Sequence, residues 1–253
     1  MTEKAEAAAK NRGAWNRASD GYQERHGAGL ARTARAWGVW RVPEEEVGAL
    51  GEVAGLDVLE LGCGAAQWSL ALAADGAKAV GLDLSERQLV HARQRALDGE
   101  VSLPLVQAGA ERLPFAAASF DLVFCDHGGM SFADPRRTVP EVARVLRPGG
   151  RLVFCNSTPL RDLTTSPGGA LPTTRLHRSY FELDRPDDDE EVLWQLPYGA
   201  WVRLFRRHGL TIDDLIELRP PAGAATTYDD YVSLDWSRRW PADHIWKLTL
   251  EAG

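Results

Sequence analysis

The stretch VLELGCGAAQWS, residues 58–69, runs strand-forming residues into two glycines one residue apart. Gly62 and Gly64 carry no Cβ, so a ligand can approach their backbone closely. Glu60 stands just before them, and Asp83 ends a second apolar run. The step from the glycines to Asp83 is about twenty residues, the distance at which an acid commonly accepts from ribose hydroxyls. A carboxylate accepts from both the 2′ and the 3′ hydroxyl, so the two turns point to a nucleoside-bearing ligand.

The acids restrict the rest of that ligand. A dinucleotide fingerprint needs a third glycine for close helix packing and for the pyrophosphate, and that position is Gln67. An unpaired carboxylate at Glu60 repels a pyrophosphate and attracts an ammonium. The GK[ST] of a phosphate loop is missing. A ligand with a ribose at one end and an amino acid at the other satisfies both acids, and S-adenosylmethionine is such a molecule.

Strands and helices must hold these residues in place. From residue 57 the pattern alternates, with strands over 57–61, 78–84, 103–108 and 119–125 and another from 151. Helices are expected over 65–74, over 85–97 with Ser85 as N-cap, and through VPEVARVL. There Val139, Val142, Val145 and Leu146 share one face, and RPGG at 147–150 ends the helix. Repeated βα units imply a parallel sheet with helices on both sides and right-handed crossovers. Ligands of such sheets bind beyond the carboxyl ends of the strands. The pattern lapses over 157–193, which holds TTSPGG and the acidic run DDDEE at 187–191, a solvated loop by its charge. It resumes with YGAWVRLFRRHG as a helix closed by Gly209 and with LTIDDLIEL and HIWKLTL as strands. The first fifty residues read as helical and carry Trp15, Tyr22, Trp37 and Trp40. Neither an internal repeat nor a second domain is evident, so residues 1–253 form one domain.

ELGCG, the acid in GLDLS, AERLPF, SFDLVFC and LRPGGRLVF follow one another as they do in the class I S-adenosylmethionine-dependent methyltransferases. Over 58–154 the chain resembles that family, in particular its small-molecule branch with the ubiquinone and menaquinone biosynthesis methyltransferases. The resemblance implies an α/β, Rossmann-like, doubly wound sheet of seven strands whose last strand runs antiparallel. HIWKLTL would be that strand, inserted beside an edge strand LTIDDLIEL. Residues 1–50 would be a helical lid, 57–156 the cofactor-binding core, 157–193 a substrate-side insertion and 194–253 the C-terminal half of the sheet. The resemblance sets Glu60, Gly62 and Gly64 on the methionine portion of the cofactor, Asp83 on its ribose and Gly109, Ala110 and Glu111 on its adenine. Leu84 would pack on the adenine ring, and Tyr22 in the lid would meet the carboxylate. Cys63 in the glycine turn and Cys125 at the end of the fourth strand are expected beside the cofactor. Gly109 departs from the pattern, since many relatives have an Asp there for the adenine amino group, and recognition then falls to the Ala110 backbone and Glu111.

A sulfonium methyl is already activated, so holding nucleophile, methyl and sulfur in line provides much of the rate, at best roughly 7–11 kcal/mol. A hydroxyl or ammonium acceptor must also lose a proton, and a base provides roughly 10²–10⁴-fold. CDHGGMSF, residues 125–132, follows the fourth strand and offers His127 as that base. Asp126 would cap the turn or orient the histidine, and Gly128 and Gly129 let the loop pass close to the ligand. In the insertion, His177, Tyr180 and Phe181 would wall an acceptor pocket.

A formal charge of −7 disfavours nucleic acid as partner. No apolar run reaches the roughly 18 residues of a membrane span, and the N-terminus lacks the apolar core of a secretory signal, so a cytoplasmic protein is expected. Cys63, Cys125 and Cys155 have no CxxC or histidine spacing for a metal and read as reduced, buried thiols. The expected function is methyl transfer from S-adenosylmethionine to O, N or C of a small molecule. The alternative is a protein that binds this cofactor without transferring the methyl group and serves in sensing or assembly. Gln67 speaks against nicotinamide-dependent oxidoreduction.

Overall fold

A seven-stranded sheet organises the chain in the computed structural model, which describes residues 3–166, 168, 171–184 and 191–252. Its strands are β1 (Asp57–Leu61), β2 (Lys78–Asp83), β3 (Leu105–Gln107), β4 (Phe120–Asp126), β5 (Leu146–Ser157), β6 (Leu210–Glu217) and β7 (Asp243–Leu250). They lie in the order β3-β2-β1-β4-β5-β7-β6. β7 runs antiparallel to both β5 and β6, and the remaining pairs are parallel. The expected topology, with the last strand inserted beside an edge strand, is the one observed. The order of strands reverses between β1 and β4, and the crevice for a ligand opens beyond their carboxyl ends.

The longer helices are α1 (Glu3–Arg32), α2 (Gln67–Ala74), α3 (Glu86–Asp98), α4 (Pro135–Val145) and α5 (Tyr198–Arg207). The central strands are buried on both faces, as their nearly continuous apolar runs require. One face packs Leu59, Val123, Phe154 and Trp246 against Val139 and Val142 of α4 and Trp201 and Phe205 of α5. The other packs Val58, Phe124 and Ile245 against Trp37, Trp68 and Leu72. Ser85 caps α3 by accepting from Gln88 N at 3.1 Å, and Asp134 caps α4 by accepting from Arg136 N at 3.0 Å.

Several expected boundaries move. Helix α1 ends at Arg32, and Ala36–Trp37 pairs with Val42–Pro43 as a short ribbon. Gly38 at φ 63° and Arg41 at φ 52° turn the chain there, a conformation no helix continues. Trp37 is therefore core without being helical, its indole N–H donating to Glu44 at 2.5 Å. RPGG does not stand outside the sheet: β5 starts at Leu146 and runs through it, with a register shift opposite Phe120 and Leu122. Helix α2 begins at Gln67 because Ala66, at φ 58°, still belongs to the turn. Of the acidic run, residues 187–190 lie outside the described residues, as do Pro167 and Gly169 of TTSPGG. Among the described residues no helix is long and apolar enough to cross a membrane.

Candidate active site

Gly62 and Gly64 adopt φ 78° and 53°, and the turn is pinned to β2 because Gly62 N and Cys63 N both donate to Leu82 O, at 2.7 and 2.9 Å. A Cβ on Gly62 would stand 2.6 Å from Gly129 N and 2.7 Å from Gly128 Cα. The tips of β1 and β4 thus cross backbone on backbone. A Cβ on Gly64 would meet nothing nearer than Gln88 Oε1 at 3.8 Å, so the open side of the turn is there. Cys125 holds the β4 loop by accepting from Gly128 N at 3.1 Å and Met130 N at 3.5 Å. Burial pushes its thiol up to about 12. Cys63 is buried, its Sγ 2.9 Å from where a Gly81 Cβ would lie. Both thiols, expected beside a cofactor, brace the turns: the bare Gly81 leaves room for the Cys63 sulfur, and the Cys125 sulfur holds the β4 loop.

The acids are unusual for their burial. Glu60 is 5 % exposed and accepts from Ser69 N at 3.0 Å and Ser69 Oγ at 2.5 Å. Burial nonetheless raises its pKa to about 8, with the charges of Asp126 and Asp83 adding to the rise. Asp83 accepts from Gly64 N and Ser85 N, each at 2.8 Å, and burial raises it to about 6 against those donors. Among the described residues no cationic side chain pairs with either acid. A pyrophosphate beside them adds repulsion, whereas a ligand ammonium or sulfonium relieves it. S-adenosylmethionine, which is cationic at both groups and has a ribose diol for Asp83, fits this donor set.

At the nucleoside end, a Cβ on Gly109 would lie 3.7 Å from Leu84 Cδ1, so these two residues border one cleft. Ala110 is buried against Gly129. Glu111 does not face the cleft as expected: its oxygens accept from Asp134 N at 3.0 Å and pair with Arg137 at 2.8 Å, because the N-terminus of α4 offers it stronger partners. Helix α1 is the element expected to act as a lid. Tyr22 packs edge-on to Trp15, and its hydroxyl lies 2.6 Å from that of Tyr228. One of the two hydroxyls donates to the other, which leaves one O–H free for a carboxylate. The Asn11 amide, fully buried, donates to Phe132 O at 2.7 Å and Val192 O at 2.9 Å and accepts from Val192 N at 2.7 Å. Helix α1 thereby clamps the β4 loop to the chain before α5.

His127, at φ 53°, donates its backbone N–H to Cys155 O at 3.0 Å. Its Nε2 is 3.2 Å from Asp243 Oδ1. Burial disfavours the charged ring, but the Asp243 carboxylate outweighs it and raises the pKa. Asp243 is buried and also accepts from Val39 N at 3.0 Å and Tyr231 OH at 2.8 Å. Asp126 therefore does not orient His127, since its oxygens take Gly38 N at 3.0 Å, Arg41 at 3.3 Å and Trp68 Nε1 at 3.4 Å. Asp243 was not singled out in the sequence because only the insertion of β7 beside β5 brings it near. Ligand atoms of Asp126, His127 and Cys155 converge within 4.8 Å. Arg41 already occupies Asp126, Asp243 favours the protonated His127, and burial keeps the Cys155 thiol protonated. Metal binding requires the opposite protonation states.

The residues of the insertion expected to wall an acceptor pocket take separate places. His177 is exposed and bonded to Thr173 at 2.8 Å, and Phe181 is 86 % exposed. Tyr180 uses its hydroxyl to accept from Tyr198 N at 3.0 Å. His177 and Phe181 thus lie on the outer surface, whereas Tyr180 is half-buried and reaches the start of α5. A cavity of about 530 Å³ between Thr173, Trp236 and Trp240 and one of about 230 Å³ between Arg136, Leu196 and Arg203 both lie away from the glycine turn.

Residues 59–154 match the family described as a methyltransferase domain. The demethylmenaquinone methyltransferase of Clavibacter sepedonicus is 43 % identical over 122 residues, 48 % of this chain and 49 % of that protein. The chain spans about half the length of the curated relatives it matches. The S-adenosylmethionine-dependent methyltransferase of Mesorhizobium loti superposes with a TM-score of 0.66 at 24 % identity, over 80 % of this chain and 94 % of that one. The [4+2]-cyclase SpnF superposes with a TM-score of 0.58 at 17 % identity, over 91 % and 94 %. The architecture is that of these proteins.

Proposed function

From a chain whose residues 59–154 match a methyltransferase domain on a sheet of that architecture, we propose that the protein transfers the methyl group of S-adenosylmethionine to a small-molecule acceptor. The observation that carries this is the pair of acids that flank the glycine turn, Glu60 buried and Asp83 half-buried, with no cationic partner among the described residues. When bound, the cofactor supplies a methyl group on a positively charged sulfur. Glu60 faces the amino acid end, Asp83 accepts from the ribose hydroxyls, and Leu84 and Gly109 border the adenine. The spare O–H of the Tyr22–Tyr228 pair meets the carboxylate. His127, oriented by Asp243, removes the acceptor's proton, and the clamp at Asn11 excludes water. The name of the relatives makes a demethylmenaquinone-type ring the first acceptor to try. The charge of −7 supports an acceptor other than nucleic acid, and three free thiols suit the reducing cytoplasm.

A second reading is a protein that binds the cofactor without transferring its methyl group and serves in sensing or assembly; the same architecture also carries a [4+2]-cyclase. Incubation with methyl-labelled S-adenosylmethionine and a panel of ring acceptors separates the two. Labelled product supports transfer. Stoichiometric binding with label only in the cofactor supports the second reading.

A further inference from the structure

Asn156 near the end of β5 and His244 near the start of β7 stand opposite each other in the antiparallel register, so their side chains share one face. Asn156 is 1 % exposed and His244 fully buried. Among the described residues, neither Nδ2 nor Oδ1 of Asn156 has a hydrogen-bond partner, and neither has Nε2 of His244. Ser131 Oγ, in the loop after β4, and Trp194 Nε1 are likewise buried without a partner. Hydrogen bonds link the segments that carry the four residues: Trp194 N donates to Ser131 O at 2.8 Å, and the neighbouring Gln195 donates to Ser157 O, beside Asn156, at 2.6 Å. Tyr198 OH lies 3.3 Å from His244 Nδ1. Buried polar atoms are nearly always satisfied, and leaving one alone costs stability. Five of the eleven such atoms among the described residues lie on these linked segments, and they point to a ligand.

The atoms define what that ligand is. Asn156 Nδ2 and Trp194 Nε1 donate, Asn156 Oδ1 accepts and Ser131 Oγ does either. Burial pushes His244 down to about 3, so its ring is neutral, and none of the five atoms carries charge. Rings surround the place, with His244 5.6 Å from both Tyr198 and Trp246. Ser131 shares its loop with His127, the base of the proposed transfer.

We propose that Asn156, His244, Ser131 and Trp194 form the acceptor-recognition site, and that they select a flat, uncharged group presenting a hydroxyl beside a carbonyl. The assignment rests on the methyl-transfer reading. It places the acceptor on the face covered by α5, away from His177 and Phe181.

The test uses the full chain saturated with S-adenosylhomocysteine and titrated with salicylamide, which has the uncharged edge, and with salicylate, its charged counterpart. Salicylamide binds the native protein and salicylate binds at least about tenfold more weakly, because the site cannot pair the charge. Asn156→Leu loses salicylamide at least about tenfold, keeps its affinity for S-adenosylhomocysteine and melts no lower than the native protein. Ser131→Ala, which deletes one hydroxyl from a loop, carries the same expectation where Asn156→Leu fails to fold. Equal binding of the two probes, salicylamide binding unchanged in the variants, or a lower melting temperature in both variants overturns the assignment. Absence of S-adenosylhomocysteine binding to the native protein overturns instead the reading on which it rests.

Discussion

Replacing Glu60 by glutamine separates the charge of this acid from its shape. Burial beside Asp126 and Asp83 raises Glu60 from 4.5 to about 8, so at pH 7 about nine-tenths of the free protein carries the proton. A ligand ammonium at this acid favours the carboxylate and expels the proton. Binding of S-adenosylhomocysteine at pH 7 should then release about 0.9 proton, with affinity rising about tenfold per pH unit from about pH 6 to 8. Calorimetry in phosphate and in Tris, whose ionisation enthalpies differ, reads the release directly. The same pKa sets the stability of the free protein. The folded state binds the extra proton between 4.5 and about 8, so stability is highest below 4.5 and falls as pH rises through that window. The full loss, at about 1.36 kcal/mol per pH unit, is about 5 kcal/mol. Glu60→Gln, a mimic of the protonated acid, should release almost no proton at pH 7, bind with affinity nearly independent of pH between about 7 and 8, above the titration of Asp83 near 6, and out-melt the native protein at pH 9 but not at pH 4.5. Proton release that persists in Glu60→Gln, or its absence from the native protein, refutes the assignment of Glu60 to the cationic end.

Three further changes probe other parts of the site. His127→Gln should lower turnover roughly 10²–10⁴-fold on an acceptor that must lose a proton, with cofactor binding intact. Because Asp243 raises the pKa of His127 and only the neutral ring accepts a proton, the rate should climb with pH through a limb above the ordinary histidine range. Asp243→Asn should move that limb downward in a pH–rate profile. Gly62→Ala forces a Cβ against the Gly128–Gly129 backbone at a left-handed φ and should cost at least about 2 kcal/mol, read as a lower melting temperature together with lost cofactor binding. Asn11→Ala leaves the Phe132 and Val192 backbone groups unpaired and should cost roughly 1–3 kcal/mol, with faster proteolysis of α1.

The sheet was legible because its strands are short apolar runs punctuated by glycine turns and by the Ser85 cap, all local signals. Glu60, the two glycines and Asp83 were legible for the same reason: they sit at the tips of β1 and β2, within one βα unit. What the sequence hid depends on distant pairing. Asp243 reaches His127 only because β7 inserts beside β5, and Asn156 meets His244 by the same register. The partners of Glu111, Asp134 and Arg137, lie at the start of a later helix, which no local pattern around Glu111 announces. His177 and Phe181 looked like pocket residues by type alone, in a segment without periodicity.

The central claim is that the β1 and β2 tips grip opposite ends of a sulfur nucleoside. A crystal structure of the complex with S-adenosylhomocysteine tests it most directly. The account requires the ribose hydroxyls on Asp83, the amino group toward Glu60 and the sulfur beside Gly62–Gly64. Density for the ligand in another cavity, with Asp83 still bonded only to Gly64 and Ser85, would contradict it.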